Sequence, residues 1–158
     1  MQIRIVRAEP AHAGVIAEMV GELLQEITTA IGSKVFSFDS GDTETRARTW
    51  LSNGTNTVFV AYTDHNQVMG FLAVYESYAL YAEGAFGTIT ELYVRPTFRS
   101  QGVGARLLAE ARQFATSRRW TRLEVTTPPL PQFEKTLAFY ERYKFSISGG
   151  RKMKTDLP

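Results

Sequence analysis

Residues 99–105, Arg-Ser-Gln-Gly-Val-Gly-Ala, separate two segments of different hydrophobic period. Before them, Gly87 to Val94 is rich in β-branched and apolar residues and stops at Pro96, which predicts a strand. After them, Val103, Leu107, Leu108, Ala111, Phe114 and Ala115 recur at helical spacing, which predicts an amphipathic helix from Gly102 onward. A strand feeding a helix through such a turn restricts the chain to folds that mix the two. Glycines there let the backbone turn tightly and leave N–H groups unobstructed. The helix start adds free donors and the positive end of its dipole. Together they form an anion site suited to a pyrophosphate, with Arg99 as a positive charge beside it.

The rest of the chain supplies further elements of both kinds. Ile3 and Ile5 alternate with Gln2 and Arg4, predicting a first strand that ends near Arg7. Pro10 opens a helix whose stripe is Val15, Ile16, Met19, Val20, Leu23, Leu24 and Ile27. Ile31 to Ser40 is aperiodic and predicts a loop. Asp42 or Thr43 is the expected cap of a shorter helix that Asn53-Gly54 ends. Thr57 to Tyr62 and Val68 to Glu76 flank the turn residues Asp64-His65-Asn66, predicting a hairpin. Arg106 and Glu110 are an expected i,i+4 pair. Leu123 to Thr126 is a short strand, Pro128 to Pro131 a rigid connector and Phe133 to Tyr143 a last helix. Phe145 to Ile147 with Lys152 to Lys154 is expected to form a terminal strand or hairpin around Gly149-Gly150. The order is β-α-α-β-β-β-α-β-α-β. It implies an α/β fold, a mixed and mainly antiparallel central sheet with helices on both faces. The 158 residues fit a single domain spanning 1–158.

Composition removes several chemistries. There is no cysteine, which excludes thiol nucleophiles, disulfide scaffolds and Cys-based zinc or iron–sulfur sites. His12 and His65 are the two histidines, each read as a surface residue, so no metal site is expected. Lys plus Arg is 18 against 16 for Asp plus Glu, a net charge of +2 spread along the chain. The basic tail Arg151-Lys152-Lys154 is too small a patch for a nucleic-acid partner. Apolar runs such as Val58 to Ala61 are strand-sized, so no membrane span is expected, and the start at Met1 lacks a signal-peptide pattern. The expected location is cytoplasmic.

Three phosphate motifs compete for the glycine turn. A Walker loop requires Gly-x-x-x-x-Gly-Lys-Ser/Thr, which the chain lacks. A dinucleotide fingerprint requires a third glycine where Leu107 stands. The remaining pattern, Arg/Gln-x-x-Gly-x-Gly/Ala, is met by Arg99, Gly102 and Gly104. It resembles the pyrophosphate loop of the GNAT family of N-acetyltransferases. Leu92-Tyr93-Val94-Arg95-Pro96 before it resembles the family's strand ending in Val-x-Pro. Leu137 to Arg142 with Phe145 resembles the family's Phe-Tyr-x-x-x-Gly-Phe segment. The order of elements matches along essentially the whole chain.

The resemblance implies acetyl-CoA as co-substrate and an amine as acceptor, with direct attack on the thioester and no covalent enzyme intermediate. It implies that the Leu92 and Val94 backbone pairs with the pantetheine, and that Arg99, Ser100, Gln101, Gly102, Val103, Gly104 and Ala105 hold the pyrophosphate. Tyr140 matches the family tyrosine that protonates the leaving thiolate; the alternative is a core aromatic. For the base, Glu91 comes first, then Glu76, Glu83 or a water chain. Alternation sets Glu91 opposite Leu92, where it is either catalytic or a solvated strand charge. Two residues depart from the family pattern. Phe133 stands where the family often has Asn, which puts one cofactor hydrogen bond in doubt, and Lys144 replaces Gly, which suggests a different turn before Phe145. Phe36, Phe38, Tyr78, Tyr81 and Phe86, with Asp39 and Glu83, suit either a pocket for a small-molecule amine or a homodimer contact. The rival reading is a non-catalytic acyl-CoA-binding module, against which Tyr140 argues.

Overall fold

A computed structural model describes residues 2–34, 37–128 and 132–158. They form two compact units, Met1–Thr126 and Thr127–Pro158. The first carries β1 (Ile3–Arg7), a 3-10 turn (Pro10–His12), α1 (Ala13–Ile31), α2 (Ser40–Asn53), β2 (Thr57–Thr63), β3 (Val68–Ser77), β4 (Phe86–Val94), a second 3-10 turn (Pro96–Phe98), α3 (Val103–Ser117) and β5 (Leu123–Val125). The second carries α4 (Glu134–Arg142). The expected order holds through α4.

The expected terminal strand does not form. Residues 145–158 contain neither helix nor strand, and 146–158 are exposed. Ser146 to Gly150 offers one large apolar side chain, Ile147, beside two glycines, so ordering it as a strand would bury little. Pro129 to Pro131 of the predicted connector, and Phe36, lie outside the described residues. The start of α2 also differs from expectation. Asp39 is its cap, its side chain accepting the Asp42 N–H at 2.8 Å, so Ser40 and Gly41 are helical rather than loop.

The five strands lie in the order β1-β2-β3-β4-β5. All neighbours are antiparallel except β4 and β5, which run parallel. Alternation sorts their side chains onto two faces. Val58, Val60, Phe71, Ala73 and Tyr93 form one core with Ile16 and Met19 of α1, and Ala47 and Leu51 of α2 pack against it. On the other face Phe59 meets Phe114 of α3 edge-on at 5.9 Å. Val103, Leu107, Leu108 and Ala111 of α3 are buried, and each large apolar side chain so covered contributes roughly 1.5–3 kcal/mol. Gly70 is required where β3 meets β4, since a Cβ there would stand 2.3 Å from the Tyr93 carbonyl oxygen.

Candidate active site

The site is built on the far half of β4. Its near half is paired on both sides: Gly87, Thr88 and Ile89 oppose Leu123, Glu124 and Val125 of β5. That pairing stops at Ile89, while β4 runs on to Val94 against β3 alone. β5 itself ends at Val125, and among the described residues no strand pairs with the β4 edge from residue 90 onward. Unpaired edge N–H and C=O groups are a template for an extended partner.

A β-bulge stands where the strands part. Ala73 opposes Glu91 while the next residue, Val74, opposes Ile89, which leaves Thr90 as the extra residue. The bulge shifts the side-chain alternation by one. Counted from Ile89, Glu91 would share the α3 face; with the bulge it lies with Ala73 and Tyr93 on the face that α1 covers. Glu91 is half-buried, and its carboxylate accepts a hydrogen bond from the neighbouring Thr90 hydroxyl. Burial raises its pKa above the ordinary carboxylate value, with the Thr90 bond opposing in part. A carboxylate so raised is a stronger base than an ordinary one.

The other two acids considered as bases are placed differently. Glu76 opposes Gly87, on the α3 face, where Trp120 Nε1–H donates to it at 2.6 Å, the Tyr78 hydroxyl donates as well, and Arg118 lies 3.6 Å away. These bonds, Tyr78 first, hold its pKa below the usual value, which suits a structural acceptor and not a base. Glu83 is exposed on the 78–85 loop.

The glycine turn has the predicted form. Ser100 (φ +62°) and Gly102 (φ +85°) are both left-handed, and nothing lies within 4 Å of a Cβ built on Gly102. Gly102 caps α3, and Arg106 N–H donates to its carbonyl at 3.0 Å as the first helical bond. The N–H groups of Val103, Gly104 and Ala105 therefore have no helical acceptor. The Gln101 side chain turns back to the Thr97 carbonyl at 3.1 Å. Open space, successive backbone donors and a helix N-terminus fit a pyrophosphate, and the open β4 edge fits an extended amide chain, the two parts of a coenzyme A. The expected Arg106–Glu110 pair does not form; Arg106 donates to the Ile3 carbonyl at 3.2 Å instead, which anchors α3 to β1.

Arg99 does not stand free beside the turn. Its Nε donates to the Val94 carbonyl at 2.7 Å, and its two terminal nitrogens fork onto Glu26 of α1 at 2.6 and 2.8 Å. Arg95 bonds Glu22 at 2.9 and 3.1 Å and Glu18 at 3.0 Å, and the Tyr93 hydroxyl donates to Glu22 at 3.1 Å. Burial and the Glu22 charge push Tyr93 up to about 12. The sequence reading missed this row. Its signal was the spacing of four in Glu18-Glu22-Glu26, which puts the three acids on one side of α1.

In the second unit, α4 ends in a Schellman turn. Phe145 N–H donates to the Tyr140 carbonyl and Lys144 N–H to the Glu141 carbonyl, each at 3.1 Å. Lys144 sits at φ +76°, the left-handed conformation that glycine favours, so the turn suited to the family's glycine is kept and not replaced. The turn brings Phe145 edge-on against Tyr140 at 5.3 Å, and Phe139 also meets Tyr140 edge-on at 5.3 Å. Tyr140 is buried, and burial raises its pKa.

Several residues assigned to an acceptor pocket have structural partners. The Phe38 ring lies 2.9 Å from where a Cβ on Gly21 would stand, and Asp39 caps α2. Phe86 is buried under the Arg122 guanidinium, 4.0 Å from its ring centre. Tyr78, Leu80 and Tyr81 are exposed on the 78–85 loop, where Tyr78, Ala79, Leu80, Gly84 and Ala85 line a shallow hollow.

Comparison with known proteins agrees with this geometry. Residues 54–147 match the model of the acetyltransferase (GNAT) domain. No curated protein matches the sequence. Among solved structures, a predicted acetyltransferase from Clostridium acetobutylicum solved with acetyl-CoA superposes with a TM-score of 0.80 at 15% identity, covering 98% of this chain and 96% of that one. An aminoglycoside acetyltransferase from an uncultured soil metagenomic sample, in complex with sisomicin, gives 0.77 at 21% identity, covering 99% and 97%. A ribosomal-protein-alanine N-acetyltransferase from Brucella melitensis gives 0.76 at 17% identity, covering 99% and 100%. At such identities the superpositions establish the fold. The family match spans more than half the chain, and the chain belongs to the GNAT family of acetyltransferases. It is by class an N-acetyltransferase, an enzyme of a family that uses acetyl-CoA.

Proposed function

We propose that this enzyme transfers the acetyl group of acetyl-CoA to a primary amine of a small molecule. The observation that carries the reading is the end of the β4–β5 pairing at Ile89, which leaves the rest of β4 unpaired on that edge among the described residues and leads along the chain to a left-handed glycine turn at a helix start, all within one unit. Acetyl-CoA supplies the acetyl group as a thioester. The backbone of Leu92 and Val94 would hold the pantetheine as an added strand. Backbone N–H groups from Ser100 through Gln101, Gly102, Val103, Gly104 and Ala105 would hold the pyrophosphate, with Arg99 supporting the turn.

Glu91 is the residue proposed to take the proton of the amine, because burial raises its pKa above the ordinary carboxylate value and makes it a stronger base. Tyr140 is proposed to donate its hydroxyl hydrogen to the departing sulfur, charge that develops only in the transition state. The amine attacks the thioester directly, without a covalent enzyme intermediate, which agrees with a chain that has no cysteine. In this reading the two compact units act as a single N-acetyltransferase domain. A small amine is favoured as acceptor because an aminoglycoside acetyltransferase shares the fold. Among the described residues no helix is long and apolar enough to cross a membrane, in keeping with the cytoplasmic location we propose. The exposed Tyr78, Leu80 and Tyr81 motivate a homodimer, which light scattering at micromolar concentration tests; a monomer alone would count against it.

The deciding experiment is a thiol-release screen with acetyl-CoA against small amines, amino acids, polyamines, aminoglycosides and peptide N-termini. Turnover with a small amine supports the reading. Turnover confined to peptide N-termini replaces the acceptor, and release with none of them removes the small-amine reading.

A further inference from the structure

The cofactor cradle hangs from an arginine that is already occupied. Arg99 immediately precedes the left-handed Ser100 and follows the Pro96–Phe98 turn, so its side chain fixes where the glycine turn begins. Three of its five N–H donors are engaged, one on the Val94 carbonyl and two in the fork on Glu26. Its guanidinium also lies 5.7 Å from the centre of the Tyr93 ring. One side chain thus ties α1, the end of β4 and the first residue of the turn. Arg95, four residues earlier, makes the companion tie to Glu18 and Glu22.

Accepting the acetyl-CoA reading above, we infer that Glu26 is a positioning residue of the cofactor site, holding the pyrophosphate turn in register with the open β4 edge through Arg99, and that Arg99 acts as a strut more than as a phosphate ligand. The alternative, an arginine parked on Glu26 and released to the phosphates, makes the opposite prediction. Removing Glu26 then frees a cation for an anionic ligand and tightens binding. On the strut account the same change loosens the turn and weakens binding, although it makes the protein more positive.

The test is acetyl-CoA affinity by titration calorimetry for wild type, Glu26→Gln, Arg99→Lys, Arg99→Gln, the double variant Glu26→Gln/Arg99→Gln and the control Glu44→Gln. Glu44 pairs with Arg48 on α2 at 2.7 Å, so its variant repeats the charge change elsewhere on the surface. Expected is a roughly tenfold weaker Kd for Glu26→Gln and for Arg99→Gln, with the double variant no worse than either single, because both remove one tie. Arg99→Lys is expected to be weakened as well, since an ammonium keeps the charge but cannot fork onto a carboxylate and cap a carbonyl at once. Glu44→Gln is expected to bind as wild type. Melting curves without ligand accompany each titration and are expected to shift little, which separates a displaced turn from a lost fold. Tighter or unchanged binding by Glu26→Gln, with wild type binding normally, overturns the inference and leaves the functional reading intact. Wild type failing to bind acetyl-CoA overturns both.

Discussion

The two halves of β4 share a strand and differ in what lies beside them. From Phe86 to Ile89 the backbone is paired on both edges, and Gly87 lets the Trp120 ring close in to 2.5 Å from where a Cβ would stand. From Thr90 to Val94 one edge is open, and the side chains on the α1 face are a half-buried acid and a tyrosine bonded to Glu22. A single inserted residue, Thr90, marks the boundary. The bulge sits one residue past the last β5 pair and turns an acid toward α1, so a single inserted residue changes which face the second half of the strand presents.

The largest expected effect is on the cradle at the end of the open half. Gly104→Asp should weaken acetyl-CoA binding by at least about 100-fold, because it places a carboxylate where the pyrophosphate would lie. An acid in the first turn of a helix is otherwise favourable, so the melting temperature should hold while binding is lost. Unchanged affinity would separate the cradle from the open edge.

Next is Glu91. Glu91→Gln should lower kcat/KM roughly 100-fold at neutral pH. Burial raises the Glu91 carboxyl, so wild-type kcat/KM should fall as pH drops through a value above the ordinary carboxylate range, where Glu91 gains its proton and can take no other. The Gln variant should lack that limb. A limb that persists would assign it to another group. Tyr140→Phe should lower kcat roughly tenfold with little change in KM for acetyl-CoA, since only the hydroxyl is removed and its bond forms in the transition state. A wild-type rate would leave Tyr140 as a packing residue.

The smallest effect lies away from β4. Lys144→Gly should stabilise the protein by about 1 kcal/mol in denaturant unfolding, by relieving a left-handed lysine. A loss of stability would mean that the lysine side chain contributes more than the backbone strain costs.

These regions were legible in the sequence to different degrees. The glycine turn is readable because its work is done by the backbone, and a backbone that must turn left-handed leaves glycine in the chain, as at Gly102. Tyr140 and Phe145 are readable for a similar reason, since a Schellman turn brings the third-last helical residue against the third one past the end. The bulge at Thr90 leaves no such mark, because a bulge is a mismatch between two strands and no local spacing encodes it. The acid row on α1 was written at a spacing of four, but its partners lie some seventy residues away. The acceptor side was least legible: Phe38, Asp39 and Phe86 have the chemistry of a pocket, and packing, capping and an arginine have claimed them.

The central claim is that the open edge of β4 and the glycine turn together receive acetyl-CoA. Titration calorimetry of the wild-type chain with acetyl-CoA and, in parallel, with NAD tests it most directly. The account predicts saturable binding of acetyl-CoA, a melting temperature that rises with its concentration, and no binding of NAD. Binding of NAD without acetyl-CoA would contradict it.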